Sequence, residues 1–97
     1  MSIPHSKDMD YFFKAVLSLK DINDCYSFFE DICTIKEMKD LAQRIDVARL
    51  LSEGKVYSEI AKITGASSAT ISRVNKCLMY GTGGYKEVLE RLKGEKI

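Results

Sequence analysis

The sequence predicts an all-α fold with six helices. Apolar side chains recur at intervals of three and four residues, the spacing that places them on one side of a helix. Residues that can cap helices precede several of these runs, and glycines follow some of them. No stretch alternates strictly between apolar and polar residues for long, so no strand is predicted. With 97 residues, the chain has room for a single helical domain, predicted to span residues 1–97.

The first two predicted helices each follow a capping residue. Ser6 can cap the first helix, which extends to about Lys20, and Asp21 can cap the second. Both helices have broad apolar faces. The apolar positions are Phe12, Phe13, Val16, Leu17 and Leu19 in the first helix and Ile22, Cys25, Tyr26, Phe29, Ile32 and Cys33 in the second.

The third predicted helix is the longest and has clear signals at both ends. Thr34 and Glu37 have the spacing of a capping box, in which the hydroxyl and the carboxylate each bind a backbone N–H of the first turn. Gly54 supplies the left-handed residue that commonly follows a helix. The predicted buried face consists of Ile35, Met38, Leu41, Ala42, Ile45, Ala48 and Leu51.

Three shorter helices are predicted after Gly54. They span about residues 57–64, 68–79 and 85–93. A turn at Gly65 separates the first two, and further glycines interrupt the chain before the last. The last helix has amphipathic spacing, with apolar positions at Tyr85, Val88, Leu89 and Leu92.

The charge of the whole chain is nearly balanced, but its two halves differ. The 15 Lys and Arg residues and 14 Asp and Glu residues give a net charge of +1, whereas nucleic-acid-binding domains are often much more basic. Residues 1–54 carry 7 basic and 10 acidic side chains, a net −3, and residues 55–97 carry 8 and 4, a net +4. A polyanionic partner is therefore expected at the C-terminal half.

The chain has few residues suited to catalysis or metal binding. Cys25, Cys33 and Cys77 lack zinc-ligand spacing and His5 is the single histidine, so no metal site is predicted, and the thiols are expected to be buried and reduced. There is no Ser-His-Asp or Cys-His set and no phosphate-binding glycine loop, so an enzyme is not predicted. No apolar run reaches the roughly 20 residues of a membrane helix, and no signal-peptide pattern is present, which predicts a cytoplasmic protein without a membrane partner.

The segment from Tyr57 to Lys76 has the spacing of a helix–turn–helix. Ala61 is small, as needed where the second helix crosses close to the first, and Gly65 permits the positive φ of a tight turn. Four side chains are expected to fill the wedge between these helices and the long helix behind them: Ile60, Ile63, Ile71 and Val74.

The second helix of this pair has the side chains of a helix that enters a DNA major groove. Ser67 can cap it, which directs the partial positive charge of its N-terminus toward a phosphate. Short or polar side chains that can read base edges follow: Ser68, Ala69, Thr70, Ser72 and Arg73. Lysines expected to contact phosphates are Lys55, Lys62 and Lys76. The pattern predicts sequence-specific binding to double-stranded DNA.

Several of these motifs resemble the Trp-repressor family. They are Leu41-Ala-Gln-Arg44, Gly54 and Gly65-Ala-Ser-Ser-Ala-Thr-Ile-Ser-Arg73. The continuation Val74-Asn-Lys-Cys-Leu-Met-Tyr-Gly, followed by Gly84-Tyr85, resembles the YerC/YecD branch of bacterial regulators. The resemblance is specific over residues 34–85 and extends to residues 8–33 only as helices of suitable length.

The resemblance implies an interlocked homodimer of all-helical chains. Residues 8–54 would form the dimerisation helices, residues 57–79 the helix–turn–helix and residues 85–93 a C-terminal helix. Such a dimer binds a pseudo-palindromic operator with half-sites about 34–36 Å apart. Aromatic side chains that two isolated helices could not hide agree with a dimer, namely Tyr11, Phe12, Phe13, Tyr26, Phe28 and Phe29. A monomeric core is the alternative.

The resemblance also implies a small-molecule corepressor site, for a ligand of unknown identity. In the Trp repressor two arginines hold the carboxylate of the corepressor, and Arg44 and Arg73 occupy the matching positions. The alternative is that Arg44 pairs with Asp40 and Arg73 contacts a phosphate. Gln43 stands where the repressor has threonine, so a repressor without an effector, or with one other than tryptophan, remains open.

The sequence is best interpreted as that of a DNA-binding transcription regulator, and more specifically of a repressor. Two alternatives from other classes remain open. The first is a helical protein–protein interaction module whose helix–turn–helix is only a scaffold, which salt-dependent binding to duplex DNA would exclude. The second is an RNA-directed helical protein, which a preference for a palindromic duplex over single strands would exclude.

Overall fold

A computed structural model describes residues 2–95 as six α-helices joined by short connections. In chain order they are α1 (Lys7–Leu17), α2 (Ile22–Ile32), α3 (Ile35–Ser52), α4 (Tyr57–Thr64), α5 (Ser68–Tyr80) and α6 (Gly84–Arg91). This part of the chain contains no strand, so the predicted all-α class is confirmed. The first helix ends earlier than predicted, at Leu17 rather than near Lys20, and the Lys20 N–H instead donates to the Asp24 carboxylate in the first turn of α2 at 2.9 Å.

The chain divides into two compact units, one extending to Ile35 and the other beginning at Lys36. The first unit contains α1 and α2. Both predicted caps are confirmed, since the Ser6 hydroxyl accepts from the Met9 N–H at 3.0 Å and the Asp21 carboxylate accepts from the Asp24 N–H at 2.8 Å. The rings of Phe12 and Phe28 stack with centroids 6.4 Å apart, yet no residue of either helix is buried.

The second unit has a core built from α3, α4, α5 and the turn between α4 and α5. The buried side chains are Val47, Ala48, Leu50, Ile60, Ala66, Ile71 and Val74. Five half-buried residues of α3, α4, α5 and α6 pack against them, namely Leu51, Ala61, Leu78, Tyr85 and Leu89. Four of these seven buried residues belong to the predicted helix–turn–helix, and the other three belong to α3.

The side of α3 that faces this core is only partly the predicted one, because Ala48 is fully buried and Leu51 packs against the core, but the other buried residues of α3 lie outside the predicted stripe. Val47 and Leu50 are 0% and 4% exposed, whereas Ile35 and Leu41, which belong to the predicted buried face, are 76% and 46% exposed. At 3.6 residues per turn, Val47 and Leu50 lie on the opposite side of the helix from most of the predicted stripe. The helix thus has apolar residues on more than one side, and its periodicity predicted only the C-terminal part of the side that packs, at Ala48 and Leu51.

The predicted closure of α3 by Gly54 is confirmed. Gly54 has φ +84°, and its N–H donates to the Leu51 carbonyl oxygen at 3.0 Å. The N–H of Lys55 donates to the Leu50 carbonyl oxygen at 3.1 Å. This pair of hydrogen bonds is a Schellman motif, which satisfies the last carbonyls of α3 and turns the chain toward α4.

The expectation of buried thiols is wrong for two of the three cysteines. Cys25 and Cys77 are exposed and Cys33 is half-buried, because α2 buries none of its residues and Cys77 lies on the solvent side of α5. None of the three forms a disulfide. Among residues 2–95, no three His, Cys, Asp or Glu side chains are grouped to hold a metal ion. No helix in that range is long and apolar enough to cross a membrane.

Candidate nucleic-acid interface

The helices α4 and α5 form the predicted helix–turn–helix, joined through Gly65. Gly65 has φ +74°, and its N–H donates to the Ala61 carbonyl oxygen at 2.8 Å to close α4. This left-handed conformation costs residues with a Cβ about 1–2 kcal/mol. The turn therefore depends on glycine at this position, as the sequence predicted.

Three of the four predicted wedge residues are buried. Ile60 and Ile71 are fully buried and Val74 is 2% exposed, but Ile63 is 58% exposed and does not belong to the core. The buried side of α4 runs through Ile60, Ala61 and Thr64. Ile63 points about 100° away from the middle of that side, which explains why it stays in solvent.

The turn is also held by two side chains that the sequence analysis did not assign to it. The Thr64 hydroxyl donates to the Ile60 carbonyl oxygen at 2.8 Å and accepts from the Ala66 N–H at 3.1 Å. The Gln43 side-chain amide, on α3, donates to the Thr64 carbonyl oxygen at 3.1 Å. A threonine just before a turn glycine is a local signal for the two hydrogen bonds of the Thr64 hydroxyl, because a threonine hydroxyl commonly binds the carbonyl oxygen four residues earlier. No local signal identifies Gln43, whose partner is 21 residues away.

The N-terminus of α5 is capped by Ser67. Its hydroxyl oxygen accepts from the Thr70 N–H at 3.1 Å, and its proton is donated to the Thr70 hydroxyl oxygen at 3.1 Å. The predicted cap is confirmed. Thr70 is half-buried and keeps its own hydroxyl proton as a donor, whereas the Ser67 proton is already engaged.

The solvent side of α5 has short polar and basic residues. Ser68, Ala69, Ser72, Arg73 and Lys76 are all exposed, and α5 contains no acidic residue. Arg73, Lys76 and Lys62 form no ion pair or hydrogen bond with any residue between 2 and 95. Lys55 lies 3.9 Å from the Glu59 carboxylate, an exposed pair that contributes little stability.

Arg44 lies on the exposed surface of α3, near Tyr85 of α6. It does not pair with Asp40, the alternative considered for it, because Asp40 accepts from the Lys36 ammonium group at 2.9 Å. Burial raises the pKa of the Tyr85 phenol, and Cys77 raises this pKa further, whereas the Arg44 charge lowers it. Within the described chain, Arg44 has no hydrogen-bonded or ion-paired partner.

A groove of about 950 Å³ lies between the C-terminal half of α3, the end of α5 and α6. Its apolar lining includes Leu78, Met79 and Leu89. Arg49 also lines it, 3.3 Å from the Glu53 carboxylate and 3.8 Å from the Asp46 carboxylate. None of the predicted DNA-contacting residues lines this groove, and neither does Arg44.

Comparison with known proteins identifies the family. The family model of the Trp repressor protein matches residues 7–93. The uncharacterized protein YerC of Bacillus subtilis (strain 168) is 54% identical over 87 residues, which cover 90% of this chain and 84% of that protein. The predicted YerC-type membership is confirmed.

Solved structures agree with this assignment. The crystal structure of a TrpR-like protein from Eubacterium eligens ATCC 27750 is 50% identical, covers 95% of both chains and superposes with a TM-score of 0.90. A candidate Trp repressor from Staphylococcus aureus is 39% identical, covers 96% of this chain and 93% of its own, and superposes with a TM-score of 0.91. The chain therefore belongs to the Trp repressor family of helix–turn–helix regulators.

Proposed function

We propose that this chain is a sequence-specific DNA-binding transcription regulator, and specifically a repressor, that acts as a homodimer. The observation that carries the proposal is the solvent side of α5. It holds short polar and basic side chains, no acidic residue and two cationic groups without a protein partner among residues 2–95. The buried core beneath it, including Ile71 and Val74, supports this helix as a rigid element.

The side chains fall into two groups by the part of DNA that they would contact. Lysines around the helix–turn–helix would bind phosphates and set its position on the duplex, namely Lys55, Lys62 and Lys76. Four exposed residues of α5 and the half-buried Thr70 would read base edges; the exposed ones are Ser68, Ala69, Ser72 and Arg73. Among these, the Arg73 guanidinium can donate two hydrogen bonds to guanine, and the Ala69 methyl group suits a thymine methyl group.

The charge distribution indicates that the affinity for DNA would come mainly from contacts with a specific sequence. Residues 55–80 carry four basic side chains and one acidic side chain, whereas the whole chain has a net charge of only +1. Nonspecific attraction to DNA should therefore be modest. The logarithm of affinity should fall with the logarithm of salt concentration, with a slope of about −0.9 for each phosphate neutralised.

A homodimer is part of the proposal because a regulator of this kind reads two half-sites about 34–36 Å apart. Family membership supports it. Apolar side chains on the first two helices also support it, since Leu17, Tyr11 and Tyr26 are 83%, 76% and 74% exposed. Exposed apolar residues at this density are typical of a surface that another chain covers.

The test begins by selecting duplexes from a random library with the purified chain. Affinities are then measured for the selected duplex and for a shuffled duplex of the same composition, over a range of salt concentrations. Arg73→Ala should weaken binding to the selected duplex by about 1–3 kcal/mol. Arg91→Ala is the control for loss of an arginine, because Arg91 is also exposed but lies on α6, outside the proposed interface. Absence of binding at low salt would contradict the proposal.

As a second proposal, a small-molecule effector with a carboxylate group binds this chain and changes its affinity for DNA. It is supported by Arg44 and Arg73, which are both exposed and lack an ionic partner among the described residues, so that each is available to a carboxylate. Repeating the selection with and without candidate amino acids tests it. Arg44→Ala should abolish any effect of the amino acid on DNA affinity without changing the affinity measured in its absence.

A further inference from the structure

One side chain of α3, that of Gln43, forms a hydrogen bond with the turn between the two helices of the proposed DNA-binding motif. The Gln43 amide donates to the Thr64 carbonyl oxygen at 3.1 Å in a partly buried position. The side-chain hydrogen bonds of the turn itself are local, because Thr64 bonds with Ile60 and Ala66, and Ser67 with Thr70. The Gln43 bond thus connects the turn to a helix far away in the sequence.

The Thr64 carbonyl needs such a partner. It is the last carbonyl of α4, and the final carbonyls of a helix have no N–H partner within the helix. An unpaired carbonyl in a partly buried place is unfavourable because it loses water without gaining another donor. Gln43 supplies that donor from the neighbouring helix.

The hydrogen bond adds a directional restraint to the packing of the apolar core. Ile60, Ile71 and Val74 hold α4 and α5 against α3 through contacts that have no preferred direction. A hydrogen bond has a preferred distance and angle, so it restrains sliding and rotation of the turn along α3. The turn leads directly into Ser67 and the N-terminus of α5, which is the end proposed to approach DNA.

We propose that Gln43 is a positioning residue for DNA reading. It fixes the turn against α3 and thereby sets the placement of α5, without touching DNA itself. This inference rests on the proposed function. Recognition sites require their side chains within about 0.5 Å of the productive geometry, so a small shift of the turn should reduce specific binding.

The test uses the 97-residue chain and two substitutions. Gln43→Met keeps the length of the side chain and removes the donor. Lys39→Met is the matched control, since Lys39 is exposed on the same helix and has no partner among the described residues. The probes are the duplex selected by the unmodified chain and a shuffled duplex of the same composition.

Gln43→Met should lower the affinity for the selected duplex by about fivefold, the effect of one net hydrogen bond. Its affinity for the shuffled duplex should remain within about twofold, because the phosphate contacts are retained. Lys39→Met should leave the ratio of the two affinities unchanged. At temperatures where all variants are fully folded, a change in stability alone would not lower the affinity for the selected duplex while leaving the affinity for the shuffled duplex unchanged. An unchanged ratio for Gln43→Met would overturn the inference.

A second measurement on the chain without DNA separates this inference from the proposed function. Gln43 is the single glutamine of the sequence, so its side-chain amide signals can be assigned by NMR. One of its two protons should exchange with solvent more slowly than those of the exposed Asn23. Equal exchange would overturn the hydrogen bond and the inference. A protected amide in a chain that binds both duplexes equally would instead contradict the proposed function.

Discussion

The two units of the chain differ in how much they bury. In the second unit, Ile60, Ile71 and Val47 are fully buried, and the core consists of residues from the helix–turn–helix and α3. In the first unit, α1 and α2 bury no residue, although they carry most of the aromatic side chains. The comparison teaches that one chain suffices to pack the helix–turn–helix, whereas the apolar faces of α1 and α2 stay exposed in it and are the surface that the proposed homodimer would cover.

The largest expected effect concerns the core of the second unit. Ile60→Ala should lower the free energy of unfolding by about 2–5 kcal/mol, because it leaves a cavity among fully buried side chains. Ile63→Ala, on the same helix but 58% exposed, should change it by less than about 0.5 kcal/mol. Urea denaturation measures both. Equal losses would contradict the placement of Ile63 in solvent.

A charge on the apolar side of α2 should act on association rather than on this core. Tyr26→Lys should weaken the proposed homodimer by about 2 kcal/mol, the scale of an important interface residue. Ser27→Lys is the control, since Ser27 is exposed on the opposite side of α2. Sedimentation equilibrium at several concentrations measures the dissociation constants. A chain that is monomeric at every concentration would instead favour the alternative of a monomeric core.

Gly65→Ala tests how strongly the turn depends on its backbone conformation. A Cβ at Gly65 would meet no atom within 4 Å, so the expected loss of about 1–2 kcal/mol comes from the positive φ alone. Gly84→Ala provides the contrast, because Gly84 is a helical residue without positive φ and alanine favours the helix. Thermal unfolding should show a lower melting temperature for the first variant and no decrease for the second.

The smallest effect concerns the pH dependence of stability. Burial raises the pKa of Tyr85 in the folded chain above its ordinary value of 10.0. The contribution of this group to stability is complete below that value and is lost as the pH rises through 10.0 toward the folded pKa. Tyr85→Phe should therefore reduce the fall in unfolding free energy at high pH. Tyr80→Phe, at an 80% exposed position, is the control for the loss of a tyrosine hydroxyl group.

Local signals predicted the helix–turn–helix closely. The bounds of α4, the positive φ of Gly65 and the Ser67 cap depend on neighbours within a few residues, so the sequence reveals them directly. The Gln43 contact with Thr64 could not be found in this way, because it joins residues that only the packing of α3 against α4 brings together. The proposed DNA contacts of Arg73 and its neighbours remain predictions.

The sequence by itself determined the helices, their caps and the glycine at the turn, because these depend on backbone preferences and hydrogen bonds between near neighbours. Tertiary structure decided which apolar residues are buried. On α3, the side with Val47 and Leu50 packs in the core and Ile35 remains exposed; on α4, Ile60 is enclosed and Ile63 is not. Hydrophobic attraction has no direction, so a pattern with apolar residues on two sides of a helix leaves the choice to the shape of the neighbouring helices.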